Sequence, residues 1–279
     1  MSIEKRLKRV RRHSVRAAAV ATVALWSIGV WAHDTWLSAE QPAVRAGTSL
    51  ELLMTSGERF PTLGSLIAPR RIATSACRQG SETLSLKHAK REPKALRLST
   101  KTPTNDPVTC WVRLEPRTLE LNESTVAHYL DEIDAPLSVR DLWKAAKAPR
   151  RWSETYAKNA KVMVPGTLKG PSTAADPVGL KLELVLLGDP AANPSDGKLP
   201  VLVLLDGKPR DGLSIALTGE HDGPIQRQRT DAKGSAVFRF PQAGRWMLSA
   251  TDLVAVDASK GDWQSQFSTL VFDIPATSR

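Results

Sequence analysis

"PVTCWVRLEP", residues 107–116, alternates along its length. Val108, Cys110, Val112 and Leu114 fall on one side of an extended chain; Thr109, Trp111 and Arg113 fall on the other. Successive side chains of a strand point to opposite faces, so a period of two predicts a strand with Cys110 turned to the core. The text after Val178 is built the same way. "VGLKLELVLLG", "LPVLVLL", "LSIALTG", "IQRQRT", "SAVFRF", "RWMLSA" and "FSTLVFDI" are seven short strand candidates, with tight turns marked by Asp206-Gly207 and Ala232-Lys233-Gly234. Strands at this spacing describe an antiparallel sandwich rather than a βαβ fold. Upstream, "DTWLSAEQPAVRAGTSLELLMTSGERFP" reads as two strands around a Pro-Ala-Val-Arg-Ala-Gly turn.

The stretch between is helical in pattern. In "NESTVAHYLDEI", Val126, Leu130 and Ile133 share a helical face with Tyr129 beside them. "VRDLWKAAK" predicts a second short helix with Ser138 as its cap. "PRRWSETYAKNAKVMVPG" predicts a third, with Trp152 and Tyr156 four apart, running into a short strand over 161–164. "GTLKGPSTAADP" is rich in Gly, Pro, Ser and Thr and reads as a linker. The expected fold is mainly β, with two β-sandwich-like domains. Residues 33–166 form the first, with a helical insertion; 167–177 link it to an immunoglobulin- or prealbumin-like domain over 178–279.

Residues 1–32 read as a secretory signal peptide. "MSIEKRLKRVRRHSVR" is basic, "AAAVATVALWSIGVWA" is apolar, and Val30-Trp31-Ala32 is a small-x-small cleavage site. The apolar run has 16 residues, short of the ~20 that a spanning helix prefers. The expectation is export to the periplasm, cleavage after Ala32 and no stable membrane span afterwards. Arg11-Arg12 leaves general and twin-arginine export both open. The chain carries +10, and this segment holds seven Lys/Arg and one Glu, so +6 leaves with it and +4 remains. That is an ordinary mixed surface, with no basic stripe interleaved with aromatics, which argues against nucleic-acid binding. Cys77 and Cys110 are the only cysteines. In an oxidising compartment an even pair predicts a disulfide, and without a CxxC partner neither supports redox or thiolate-zinc chemistry.

Four stretches resemble a bacterial domain-of-unknown-function family often labelled a periplasmic component of nickel/cobalt uptake. The mature start "AHDTWL" looks like the family's His-Asp-x-Trp-Leu, "TSGERFP" is similar to its Gly-x-x-Phe-Pro, and "RRWSETYAKNAKVMVPG" resembles its Arg-Tyr-x-x-x-Ala-Lys element. "RTDAKGSAVFRFPQAGRWMLSATDL" with "WQSQFSTLVFDI" resembles its closing strands. The resemblance implies a metal-binding accessory or uptake protein, with a membrane transporter or other envelope protein as partner. Where related sequences carry a histidine after "GRWMLSA", this chain has Thr251 and Asp252, and Glu58 follows "TSG". That departure implies a site with more oxygen donors.

Cleavage after Ala32 would make His33 the first residue. Its α-amine, with a pKa near ~7.7–8, and its imidazole, near ~6.5, could then close a chelate ring around Ni, Co, Cu or Zn. Asp34 adds an oxygen or orients the ring. His221, flanked by Glu220 and Asp222 in "GEHDGP", is the most ligand-like remaining histidine. His88 is surrounded by positive charge, and His128 lies off the apolar face of its helix. No G-x-S-x-G elbow, calcium loop or glycine-rich phosphate loop appears. The leading expectation is a metal-binding protein rather than an enzyme. The alternatives are a non-catalytic β-sandwich interaction module with no metal, and a copper-dependent oxidase with a histidine-brace site.

Overall fold

The computed structural model describes residues 33–167, 176–192, 197–221 and 223–276. The signal segment, its cleavage residue Ala32 and most of the 167–177 linker lie outside the described residues. The chain begins with β1 (Asp34–Ala39), β2 (Ser49–Gly57), β3 (Ser65–Leu66), β4 (Ile72–Gln79), β5 (Glu82–Ser85), β6 (Lys87–Arg91), β7 (Leu96–Lys101), β8 (Val108–Leu114) and β9 (Arg117–Leu121). Helices α1 (Glu123–Glu132) and α2 (Leu137–Ala145) follow, then β10 (Trp152–Val164). The second half runs β11 (Leu182–Leu186), β12 (Lys198–Leu205), β13 (Lys208–Pro209), β14 (Ser214–Gly219), β15 (Gln226–Arg229), β16 (Ser235–Arg239), β17 (Gly244–Asp257) and β18 (Asp262–Ile274). The fold is mainly β, and all seven C-terminal segments read from the sequence are strands.

A nine-stranded sheet crosses the whole molecule in the order β15-β14-β17-β18-β10-β8-β4-β5, with β9 also on β10. Its one parallel pairing, β10 with β18, joins the two halves of the chain from Ser153↔Asp262 to Val162↔Val271. A sheet of β1-β2-β7-β6 with β3 covers one face, and a sheet of β11-β12-β13 with β16 covers the other. Alternation therefore sends neighbouring residues of the central strands into different cores. Val162, Val164 and Val271 pack in the first core with Trp36, Leu52 and Cys110. Met163, Leu270 and Phe272 pack in the second with Leu184, Val201 and Phe238. This is why β18 is buried on both sides, with the consecutive Leu270, Val271 and Phe272 all in a core.

The alternation in "PVTCWVRLEP" holds: Val108, Cys110, Val112 and Leu114 are all core. Cys110 is the direct cross-strand partner of Cys77, and the two form a buried disulfide spanning a sequence separation of 33. By the chain-entropy argument it contributes about 4 kcal/mol. The first two helices are present. Asn122 caps α1, its side chain accepting from Thr125 N–H at 2.9 Å, and Val126, Tyr129 and Leu130 pack onto Trp152, Trp263 and Phe267.

Two expectations are corrected. Ser138 is not the cap of α2. Pro136, held extended at φ −63°, ψ 153°, occupies the cap with no side-chain hydrogen bond, and Ser138 sits in the first turn. The third helix over "PRRWSETYAKNAK" is a strand. Residues four apart share a face in a helix and in a strand alike, so Trp152 and Tyr156 did not discriminate. The ladders to β18, β9 and β8 on either side override the helix preference of Ala, Glu and Lys. Among the described residues, no helix is long and apolar enough to cross a membrane.

Candidate functional site

Strand β1 lies across the central sheet, where Thr269 Oγ1 donates to the Thr35 carbonyl at 2.6 Å. It runs antiparallel to β2 with Asp34 opposite Gly57. One step further along that register, His33 meets Glu58. Its Nε2 stands 3.1 Å from Glu58 Oε1, with side chains 30% and 60% exposed. The strand pairing, not a turn motif, brings these two donors together.

Below them lies a pair of opposite charges. Burial raises the Asp34 carboxyl from 3.8 to about 6; the positive charges of Lys158 and Arg227 and a hydrogen bond from Ser249 oppose the rise, and Glu132 adds to it. Burial lowers Lys158 from 10.5 to about 8, with Asp34 opposing. The Lys158 ammonium donates to the His33 carbonyl and stands 5.2 Å from the centre of the Phe267 ring. At neutral pH both groups are charged, each against the pull of its own desolvation.

Asp34 opens into a cavity of about 300 Å³. Its floor is one face of β14 and β17: Ser214, Ala216 and Thr218 from the first, Met247, Ser249 and Thr251 from the second. The intervening Ile215, Leu217, Trp246 and Leu248 fill the second core behind. Arg227 of β15 lies opposite Ala216 and extends the floor. Glu58, Arg59 and Phe60 form one wall; Glu132 and Ile133, at the end of α1, form another. Arg227 Nη2 holds that helix end by donating to the Glu132 carbonyl at 2.7 Å. The Ser214 hydroxyl is buried, its residue 6% exposed, and has no hydrogen-bond partner.

Of the residues singled out in the sequence, Asp34 and His221 line this one cavity. His33 adjoins it through Glu58. The His221 side chain is 59% exposed and 3.7 Å from Glu220; Asp222 lies outside the described residues. His88 and His128 are exposed elsewhere. Thr251 faces the cavity, whereas Asp252 is buried in an ion pair with Arg210 at 2.8 Å. Trp143, Trp152, Trp246 and Trp263 are core residues. Among the described residues, no three His, Cys, Asp or Glu side chains are grouped closely enough to hold a metal ion. Imidazole and carboxylate are suitable donors, but they form a pair here, not a closed coordination shell. Lys158, Ser214, Ser249, Glu132 and Arg227 were not singled out. Part of the signal was readable: "SIALT" puts Ser214, Ala216 and Thr218 at every second position of one strand, and Ser249 and Thr251 stand likewise on its neighbour, a face left open.

A family model described as a domain of unknown function (DUF4198) matches residues 30–252. Among solved structures, the chain is similar to the D0–D1 domain of intimin, at 13% identity over 85% of this chain and 96% of that one, with a TM-score of 0.22. It is similar also to the full Ig1–Ig3 ectodomain of mouse nectin-like molecule 4, at 11% identity over 88% of this chain and 66% of that one, with a TM-score of 0.18. No curated protein matches.

Proposed function

The chain belongs to the DUF4198 family, a domain of unknown function, and from that premise we propose that it is a non-catalytic periplasmic protein that binds a divalent transition metal where its mature chain begins. Export trims the chain after Ala32, and His33 then supplies an imidazole and a free α-amine. Glu58, facing the imidazole Nε2 at 3.1 Å, orients the ring so that Nδ1 and the amine close the chelate, and Asp34 is the neighbouring carboxylate. Nickel, cobalt, copper and zinc all suit such nitrogen and oxygen ligands. A membrane transporter or another envelope protein receives the ion. The observation that carries this reading is the His33–Glu58 contact beside a cavity that Asp34 and His221 also line.

The test uses protein whose first residue is His33, confirmed by N-terminal sequencing, titrated with Ni²⁺, Cu²⁺ and Zn²⁺. One equivalent should bind, and a single alanine placed before His33 should weaken binding at least tenfold, because it converts the amine to an amide. A His33-start chain that binds none of the three ions overturns the proposal. A metal-free interaction module is the second reading. The lack of a three-donor group among the described residues favours it, and it would stand if the titrations were empty.

A further inference from the structure

We infer that the cavity beside Asp34 binds a free α-amino acid as its zwitterion, with no metal, the ligand's ammonium held by Asp34 and its carboxylate by Arg227. This goes beyond the metal-binding reading and borrows nothing from it, since His33 does not line the cavity. The cavity is a gap between two coverings of one sheet face. Along β17, Met247 packs in the first core and Leu253 packs beneath the helices. Ser249 and Thr251, between them on the same face, belong to neither and line the cavity instead. Register sets the floor in a row. Arg227 lies opposite Ala216, Ala216 lies opposite Ser249, and Ser249 hydrogen-bonds Asp34. From Ser249 to Arg227 is two strand spacings, about 10 Å. The cavity, at about 300 Å³, is at the small end of the ~300–1,000 Å³ usual for ligand pockets. That is room for one small molecule engaged at both ends.

The lining has hydrogen-bonding capacity that the protein does not use. Strand alternation turns Ser214 to the cavity while Ile215 and Leu217 fill the second core. The Ser214 hydroxyl is buried without a partner, although buried hydroxyls are normally satisfied. Arg227 donates one N–H to the Glu132 carbonyl at 2.7 Å, and a guanidinium has five. Asp34 accepts from Ser249, and a carboxylate has about four acceptor sites. The other charges on the walls are already engaged: Glu58 by His33, and Arg59 and Glu132 by partners within the protein.

The signs of the two remaining groups choose the ligand. An anion would answer Arg227 and meet the charge of Asp34. A cation would answer Asp34 and leave Arg227 unused. A neutral polyol offsets neither. A zwitterion answers both, each end through charge-assisted hydrogen bonds, and adds no net charge. An ammonium against Asp34 also supplies an opposite charge where burial disfavours the ionised carboxyl. The ligand's side chain then meets Phe60, Met247 and Phe267, the apolar part of the lining.

The experiment is equilibrium dialysis of the His33-start chain at pH 7.5, with EDTA in both compartments so that no metal takes part. Radiolabelled L-amino acids are offered one at a time. At least one should be retained at one per chain, those with apolar side chains most tightly. Its N-acetyl and α-amide derivatives, each lacking one of the two charges, should compete at least about tenfold more weakly, the worth of a charge-assisted hydrogen bond. Asp34→Asn and Arg227→Met should each weaken retention by a similar factor, with thermal midpoints checking that the variants fold. The derivatives test the same bridge on the unaltered chain. Retention of no amino acid overturns the inference. So do derivatives that compete as well as the parent compound, or a folded variant that retains the ligand undiminished. None of these results bears on His33, whose metal titration stands or falls separately.

Discussion

Strand β10 carries two lysines three residues apart, Lys161 buried and Lys158 part-buried, and the strand's alternation sends them to opposite faces of the sheet. Lys161 meets Glu183 at 2.8 Å, the two side chains 2% and 1% exposed. Glu183 also accepts the backbone N–H groups of Val178, Gly179 and Leu180 at 2.7, 2.9 and 3.0 Å. Every polar group there is answered within the protein, and the pair fastens the start of the second half to a strand of the first. Lys158 neighbours Asp34, which lines an open cavity, and burial displaces both groups from their ordinary pKa values, as it does Lys161. The residue types match; the number of partners differs. A saturated ion pair is architecture, while a carboxylate with fewer partners that opens into a cavity is a candidate site.

The sharpest way to break this comparison is to remove one partner from the closed pair. Glu183→Leu strands the Lys161 ammonium in the core and leaves three backbone donors without their acceptor. Denaturant unfolding should register a loss of about 3–5 kcal/mol. Lys161→Met added to it should recover part of that loss, because no unpaired charge remains. A single-variant cost below about 1 kcal/mol would mean the pair is not the fastening described.

The open pair should respond with the opposite sign. Asp34 is raised to about 6 in the fold from 3.8, so the native state holds this proton more tightly than the unfolded chain. The stability it contributes is complete below pH ~4 and is lost as pH climbs through 6. Asp34→Asn keeps the neutral form at all pH values. It should change stability little near pH 4 and raise it by about 3 kcal/mol at pH 7.5, the attraction of Lys158 being already contained in the shift. Thermal midpoints measured across pH 4–8 read this directly. A variant less stable than wild type at pH 7.5 would place Asp34 with Glu183 as a structural carboxylate.

Why one of these regions was legible in the sequence and the other was not follows from their construction. The strands of the second half announce themselves because each is a local alternation closed by Gly-containing turns, as at Asp206-Gly207. The disulfide follows from two cysteines and an export signal pattern. β10 was hidden because its evidence is non-local: Trp152 and Tyr156 fit either periodicity, and what makes the segment a strand is β18, more than a hundred residues away. Glu154, buried at its start and hydrogen-bonded by Tyr129 at 2.9 Å and Trp152 at 2.9 Å, reads in the sequence as one more solvated acid. The cleft is similarly non-local. His33 and Asp34 stand out by position, yet Ser214 and Arg227 acquire meaning only when β14 and β15 are laid beneath β1.

The smallest stability effect belongs to the residue with the largest functional claim. His33→Leu removes a contact between side chains that are 30% and 60% exposed, and such pairs are worth about 0–1 kcal/mol. The carbonyl that receives the Lys158 ammonium belongs to the backbone and survives the substitution. Unfolding free energy should therefore change by less than about 0.5 kcal/mol, within the range usual for surface positions. Nickel or copper titration of the same variant, begun at residue 33, should show affinity reduced at least tenfold, since leucine keeps the α-amine but lacks the imidazole that closes the chelate ring. The two measurements pull apart only if His33 serves a ligand and not the fold. A variant that loses stability by 2 kcal/mol or more, with its metal affinity intact, would make His33 a peg for β1 and return the cleft to its carboxylates.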